Sequence, residues 1–155
     1  MTGRRRTAAA YATVLLMLSG CAAAPQVDLD DAQAWLEQVQ SEESDGPGAA
    51  GTLSMLIDSE AADADGETTL DFPTPTPLTR ADARCFGGGT ADVTVTLFSA
   101  AGVETDRFTG QIACDRDVHD IDLESTSASA LEITAHGSAR TYLHVTVIQE
   151  MVVER

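Results

Sequence analysis

From Thr68 to Gln149 apolar side chains recur at every second position, in short runs separated by glycine-, proline- or serine-containing turns. A period of two puts alternate residues on opposite faces of an extended chain, so each run reads as a half-buried strand. Thr68, Leu70 and Phe72 share one face, and Pro73, Pro75 and Pro77 then mark an extended crossing that cannot be a central strand. Ala81, Ala83 and Cys85 form the next face, followed by Gly87-Gly88-Gly89 and by Val93, Val95 and Leu97. Phe108, Ile112 and Cys114 share a side around Gly110, and His119, Ile121 and Leu123 alternate with Asp120, Asp122 and Glu124. Leu131, Ile133 and Ala135 precede a Gly137-Ser138 turn, and Leu143, Val145 and Val147 point inward from a last strand. Thr52 to Ile57 alternates too and supplies a first strand.

Seven or eight short strands with a turn every ten residues or so specify a mainly β fold, a small antiparallel β-sandwich. No helical run long enough to bridge parallel strands interrupts them, which excludes parallel α/β architectures. Cys85 and Cys114 fall on inward faces by parity, and the pair reads as a structural disulfide. Neither a C-x-x-C spacing nor a neighbouring histidine set points to metal binding or a catalytic thiol.

The segment ahead of the strands has a different grammar. Asp28 to Gln40 reads as an amphipathic helix capped by Asp30 or Asp31, with Ala32, Trp35, Leu36 and Val39 on one face. Trp35 is the only tryptophan, and packing within the protein is preferred over a role as a partner anchor. Ser41 to Gly51, containing Gly46-Pro47-Gly48, reads as a linker. At the N-terminus, Arg4, Arg5 and Arg6 precede an apolar stretch from Ala8 to Leu18, which is too short to span a bilayer but long enough for a secretion signal. It ends in Leu18-Ser19-Gly20-Cys21, the pattern of a lipobox. The organisation expected is a signal peptide over residues 1–20, an acidic tether with one helix over 21–51, and a β-sandwich over 52–155. Cys21 is then the lipid-carrying residue, and the mature protein sits on the outer face of the cell membrane.

Charge filters the partners. All nine basic residues are arginines, and three lie in the signal segment; the remaining six face 25 aspartates and glutamates, a formal charge of −19. Such a surface repels phosphate backbones, so nucleic acid is excluded as a partner. The strand pattern from Leu70-Asp71-Phe72-Pro73 through Leu131-Glu132-Ile133-Thr134 to Tyr142-Leu143-His144-Val145-Thr146-Val147 is similar to galactose-binding-like, discoidin-type jelly rolls, over about residues 67–149. An immunoglobulin-like sandwich is the alternative, although Trp35 lies outside the cysteine pair where antibody domains place a tryptophan between. The chain as a whole resembles uncharacterised lipobox-bearing lipoproteins of high-GC Gram-positive bacteria, with a two-cysteine β-domain near Cys85-Phe86-Gly87-Gly88-Gly89-Thr90. The resemblance implies a localisation and no activity.

Motifs with chemistry are scarce. The glycine triplet lacks the lysine and following helix of a phosphate loop and reads as a turn with positive φ. Asp63-Ala64-Asp65-Gly66 fails as a calcium loop, because registering Gly66 at its sixth position puts Ala61 and Phe72 at ligand positions. His136 and His144 are candidate diagonal neighbours across the last hairpin, and two surface histidines are preferred over a zinc pair. No metal site is assigned and no cofactor is expected. Asp115 and Asp117 are the positions whose carboxylates come nearest to a calcium-holding loop. The expected function is a non-catalytic binding or interaction module, with a cell-envelope protein or glycan as partner. Its rivals are a carbohydrate-active hydrolase using paired carboxylates and a plain structural spacer.

Overall fold

The structure is a computed structural model that describes residues 27–43, 46–57 and 66–151. Cys21, the signal segment and the Asp63–Asp65 loop lie outside those residues. One helix, α1 (Leu29–Glu43), precedes six strands: β1 (Ala49–Ile57), β2 (Gly66–Cys85), β3 (Thr90–Phe98), β4 (Glu104–Ala113), β5 (His119–Gly137) and β6 (Thr141–Gln149). All pair antiparallel in the order β1-β6-β2-β5-β3-β4. The mainly β sandwich read from the alternation is what forms.

Two strands are far longer than the runs that make them. The predicted strands at 68–72 and 81–85 are the two ends of the 20-residue β2, and those at 119–124 and 131–135 are the two ends of the 19-residue β5. Counted by half, there are eight segments, and the sheet folds over on itself. Leu78–Cys85 pairs with β6 on one side and with the first half of β5 on the other, forming a first layer with β1 at its edge. Gly66–Asp71 pairs with the second half of β5, which pairs with β3 and then β4, forming a second layer. Because both layers belong to one continuous sheet, the two separate sheets of the immunoglobulin-like alternative do not form.

The sequence says where each long strand bends. In β2 the register with β5 jumps between Asp71 and Thr76 while β5 advances only from Ala130 to Ala128, so Phe72–Pro75 is surplus. Proline has no N–H to donate, and Pro73 and Pro75 stand where no ladder bond is asked of them. In β5 the surplus is Leu123–Ser125, opposite the step from Leu78 to Arg80. There Glu124 and Ser125 adopt φ of 53° and 56°, and Asp122 accepts the Glu124 N–H at 2.9 Å. An extra residue on one strand bends it and sharpens its twist.

The inward faces are those the alternation marks. Ala81, Ala83, Cys85, Val93, Val95, Leu97, Ile112, Ile121, Leu123, Leu131, Ile133, Ala135, Leu143, Val145 and Val147 are all buried in one core. The layers touch closely across it. A Cβ on Gly51 would stand 2.5 Å from the Leu70 side chain, and one on Gly137 would stand 2.9 Å from that of Ile57. Cys85 and Cys114 form a disulfide that ties the end of β2, in the first layer, to the segment leaving β4, in the second.

Helix α1 packs on the outer face of the first layer. Asp28, not Asp30 or Asp31, caps it by accepting the N–H groups of both through Oδ1, at 3.0 and 3.4 Å. Ala32 and Val39 are buried, and Trp35 meets Phe86 with ring centroids 5.6 Å apart. The helix leaves β6 covered on both sides, so His144 and Thr146 are buried as fully as the inward-facing residues between them.

Candidate functional site

Two features combine polar chemistry with a defined geometry. The first is an open cleft of about 380 Å³ at the disulfide end of the sandwich. Val27, Asp28 and Asp31 from the start of α1 wall one side, Phe86, Gly87 and Gly88 form the second, and Cys114, Asp115 and Arg116 the third. The glycine triplet makes the sharp turn the sequence suggests: Gly87, Gly88 and Gly89 have φ of 110°, 79° and 81°. A Cβ at Gly87 would also stand 2.5 Å from Val27, so glycine lets the chain ahead of α1 lie against the turn. Three backbone hydrogen bonds brace the walls around the bridge: Gly88 N to Cys114 O at 2.7 Å, Cys114 N to Gly89 O at 3.0 Å and Arg116 N to Cys85 O at 3.0 Å.

Within the cleft, the Arg116 guanidinium lies over the Phe86 ring at 4.4 Å from its centroid. That is cation–π distance. Arg116 itself takes a left-handed backbone, φ 76°, which turns its side chain back onto the ring. Asp115 Oδ1 accepts the His119 imidazole at 2.9 Å and the Asp117 N–H at 3.0 Å. The histidine contact first, and the backbone N–H second, hold the Asp115 carboxyl below its usual range. Asp115 and Asp117, the calcium candidates, are thus both in the exposed loop the sequence suggests, with Asp115 already engaged by its neighbours. Among the described residues no group of three or more His, Cys, Asp or Glu side chains is gathered as a metal site.

The second feature lies under the C-terminal end of α1. His144 Nδ1 is 2.8 Å from Ser54 Oγ on β1, and Ser54 Oγ also accepts the Gln40 amide at 2.9 Å. On its other side, His144 Nε2 is 3.5 Å from Glu43 Oε2. Thr146 Oγ1 donates to the same carboxylate oxygen at 2.6 Å, and Arg84 Nη2 holds Oε1 at 2.6 Å. With Gln40 donating to Ser54 and Thr146 to Glu43, the consistent assignment has Ser54 O–H donating to Nδ1 and Nε2–H facing Glu43. Burial pushes the His144 pKa down, Glu43 opposes that and Arg84 adds to it, so the ring is neutral at pH 7.

Serine, histidine and glutamate in hydrogen-bonding sequence are the residue types of a hydrolytic triad. Here the ring is wholly enclosed, and the serine oxygen is taken by a glutamine from the helix above. The arrangement is a clasp between helix and sheet. His136 is not part of it: it lies on the second half of β5 opposite Asp92 of β3, in the other layer. The expected His136–His144 neighbourhood therefore does not form.

Sequence reasoning did not find this cluster, because Ser54, His144 and Thr146 have outward parity. One signal was present. Tyr142, His144, Thr146 and Ile148, the outward positions of β6, include no carboxylate or arginine in a chain otherwise rich in acids.

No family model matches the chain, and no curated protein does. Among solved structures, the chain is similar to the CBM32 of AlyQ in complex with 4,5-unsaturated mannuronic acid, at 16% identity and a TM-score of 0.49. That match covers 72% of this chain and 85% of the other. It is also similar to the xylanase 10B CBM22-1–GH10 modules of Clostridium thermocellum complexed with xylohexaose, at 8% identity and a TM-score of 0.32. There it spans 67% of this chain and 25% of the other. Both scores lie below 0.5, so the fold assignment rests on the sheet topology described above.

Proposed function

We propose that this chain is a non-catalytic binding module of the cell envelope, held at the outer face of the membrane by a lipid on Cys21. Its ligand is an envelope glycan taken at the disulfide-end cleft. The observation that carries the reading is the cleft itself, an open polar recess two of whose three walls are fixed by the bridge and its backbone hydrogen bonds, the third being the start of α1. Sites of this kind work by placing a few polar groups on a rigid frame. Carboxylates such as Asp31 and Asp115 accept from sugar hydroxyls, and the Arg116 guanidinium donates to them from a ring that limits its freedom.

The test is binding of the chain to purified envelope polysaccharide, with Arg116→Ala and Asp115→Asn as variants. Both residues are exposed and their contacts with His119, the Asp117 N–H and Phe86 are surface ones, so the variants stay folded, which a melt recorded beside the binding assay checks. Each is expected to weaken binding about tenfold, the effect of losing one charge-assisted hydrogen bond. Undiminished binding by both variants would move the site away from the cleft, and no binding by the wild type would sink the glycan reading.

A further inference from the structure

The Glu43 carboxylate is held in the manner of a bound ligand. It sits on Arg84, Thr146 and His144, three side chains supplied by the sheet, while Glu43 itself comes from the last turn of a helix laid over that sheet. His144 has no exposed surface and Thr146 only 5%. The grip is nevertheless incomplete, since Arg84 Nε is buried without a hydrogen-bond partner. A guanidinium offers Nε and one Nη as a fork that matches both oxygens of a carboxylate. Glu43 meets one tine and leaves the other empty, at the cost that attaches to any orphaned buried donor.

The helix end that brings Glu43 rests on a polar strip of the sheet. Ala32 and Val39 of α1 are buried and Trp35 packs on Phe86, whereas the strip beneath its C-terminal turn is Ser54, Arg84, His144 and Thr146. Uncovering that strip exposes groups that water hydrogen-bonds, whereas lifting an element off the apolar core would expose hydrocarbon. Gly46-Pro47-Gly48, with Gly48 at φ 84°, lies between the helix end at Glu43 and the start of β1 at Ala49, and only the Gly46 N–H to Glu43 O bond, at 3.2 Å, ties this turn back to the helix.

We propose that Arg84, His144 and Thr146 form a receptor for the carboxylate of a small organic acid, and that α1 fills it in the absence of ligand with its own Glu43. A free carboxylate docked squarely on Arg84 engages both Nε and Nη2 and displaces the helix end. Because Asp28 and Asp31 wall the disulfide-end cleft, displacement of the whole helix also dismantles that cleft. The two sites are then alternatives, and an acid at one turns off the other. The receptor goes beyond the glycan reading and does not depend on it or on the lipid; only its coupling to the cleft rests on that reading.

The experiment is chemical rescue of Glu43→Ala in the full chain. Thermal melts are recorded in sodium acetate and in sodium chloride at equal ionic strength, together with the NMR resonance of Arg84 Nε–H. The variant is expected to melt below the wild type. Acetate, and not chloride, should raise its melting temperature saturably by about 2–5 °C, as binding to the folded state alone requires. The Arg84 Nε–H resonance should move along the same isotherm, the wild type should show the same resonance shift only at higher acetate, where acetate outcompetes Glu43, and Glu43→Ala/Arg84→Met should lose both responses. Equal effects of acetate and chloride, an unmoved Arg84 resonance, or rescue that survives in the double variant would overturn the proposal. Should Glu43→Ala fail to fold, Glu43→Gln keeps the side-chain volume and the Arg84 resonance alone decides, with no acetate-dependent shift counting against it.

Discussion

Removing the Cys85–Cys114 bridge tests how much of the fold rests on chain connectivity. The cysteines are 29 residues apart, and the segment between them is the β3–β4 hairpin, whose outer strand β4 has, among the described residues, β3 as its only ladder partner. In the loop-closure model a bridge of that span removes unfolded-chain entropy worth roughly 3.5–4 kcal/mol at 25 °C. For a body of about this size each kcal/mol is worth about 4 °C, so Cys85→Ala/Cys114→Ala should melt about 15 °C lower. Both positions are buried, so alanine is chosen over serine to avoid stranding hydroxyls in the core. Reduction of the unmutated chain with a phosphine controls for the small cavities that two lost sulfurs create. The three backbone hydrogen bonds around the bridge remain available, so the folded topology should survive and the loss should arise in the unfolded state. Urea unfolding separates the possibilities. An unfolded chain freed of its cross-link exposes more surface, so the m-value should rise as the midpoint falls. A loss below about 1.5 kcal/mol with an unchanged m-value would refute the connectivity account.

His144 gives a pH dependence with a definite sign. Its folded-state pKa lies below the ordinary 6.5, so the unfolded chain takes up the proton first as pH falls. Stability is full above about 6.5 and is lost as pH drops from there through the folded-state value. The groups facing the ring are Glu43 from α1, Arg84 from β2, Ser54 from β1 and Thr146 from β6, and urea midpoints between pH 7.5 and 5 measure the slope. His144→Asn should flatten that slope, and an unchanged slope would assign it to other groups. At the cellular level, Cys21→Ser should move the protein from the membrane fraction to the soluble or secreted one, and continued sedimentation with membranes would refute the lipid anchor.

The core was legible because one face of every strand is hydrocarbon. Val93, Val95 and Leu97, or Leu143, Val145 and Val147, announce their side by parity alone, and burial follows. Strand continuity was not legible. Pro73 and Pro75 interrupt the hydrogen-bond ladder, and the sequence registers that interruption as an end, whereas the backbone stays extended and carries on into the other layer. The β5 bend is quieter still, since Glu124 and Ser125 have ordinary identities and only an unusual φ. The docking of α1 was half legible. Ala32 and Val39 mark its buried face, but Gln40 and Glu43 meet a row of polar side chains whose outward parity reads as solvent. The cleft joins Asp28, Gly87 and Asp115, residues far apart along the chain, and each taken alone reads as a cap, a turn or a solvated acid.

The two long strands have a consequence for how the molecule comes apart. Since β2 and β5 each belong to both layers and pair with one another along both halves, neither layer can open while the other stays intact. Partial opening is confined to what hangs on the outside: α1, the edge strand β1 and the edge strand β4, the last held back by the bridge near its end. Amide protons of the β2–β5 ladder on either side of Phe72–Pro75 therefore belong to one cooperative unit and report the free energy of global unfolding. What the proline crossing separates in register, it joins in fate.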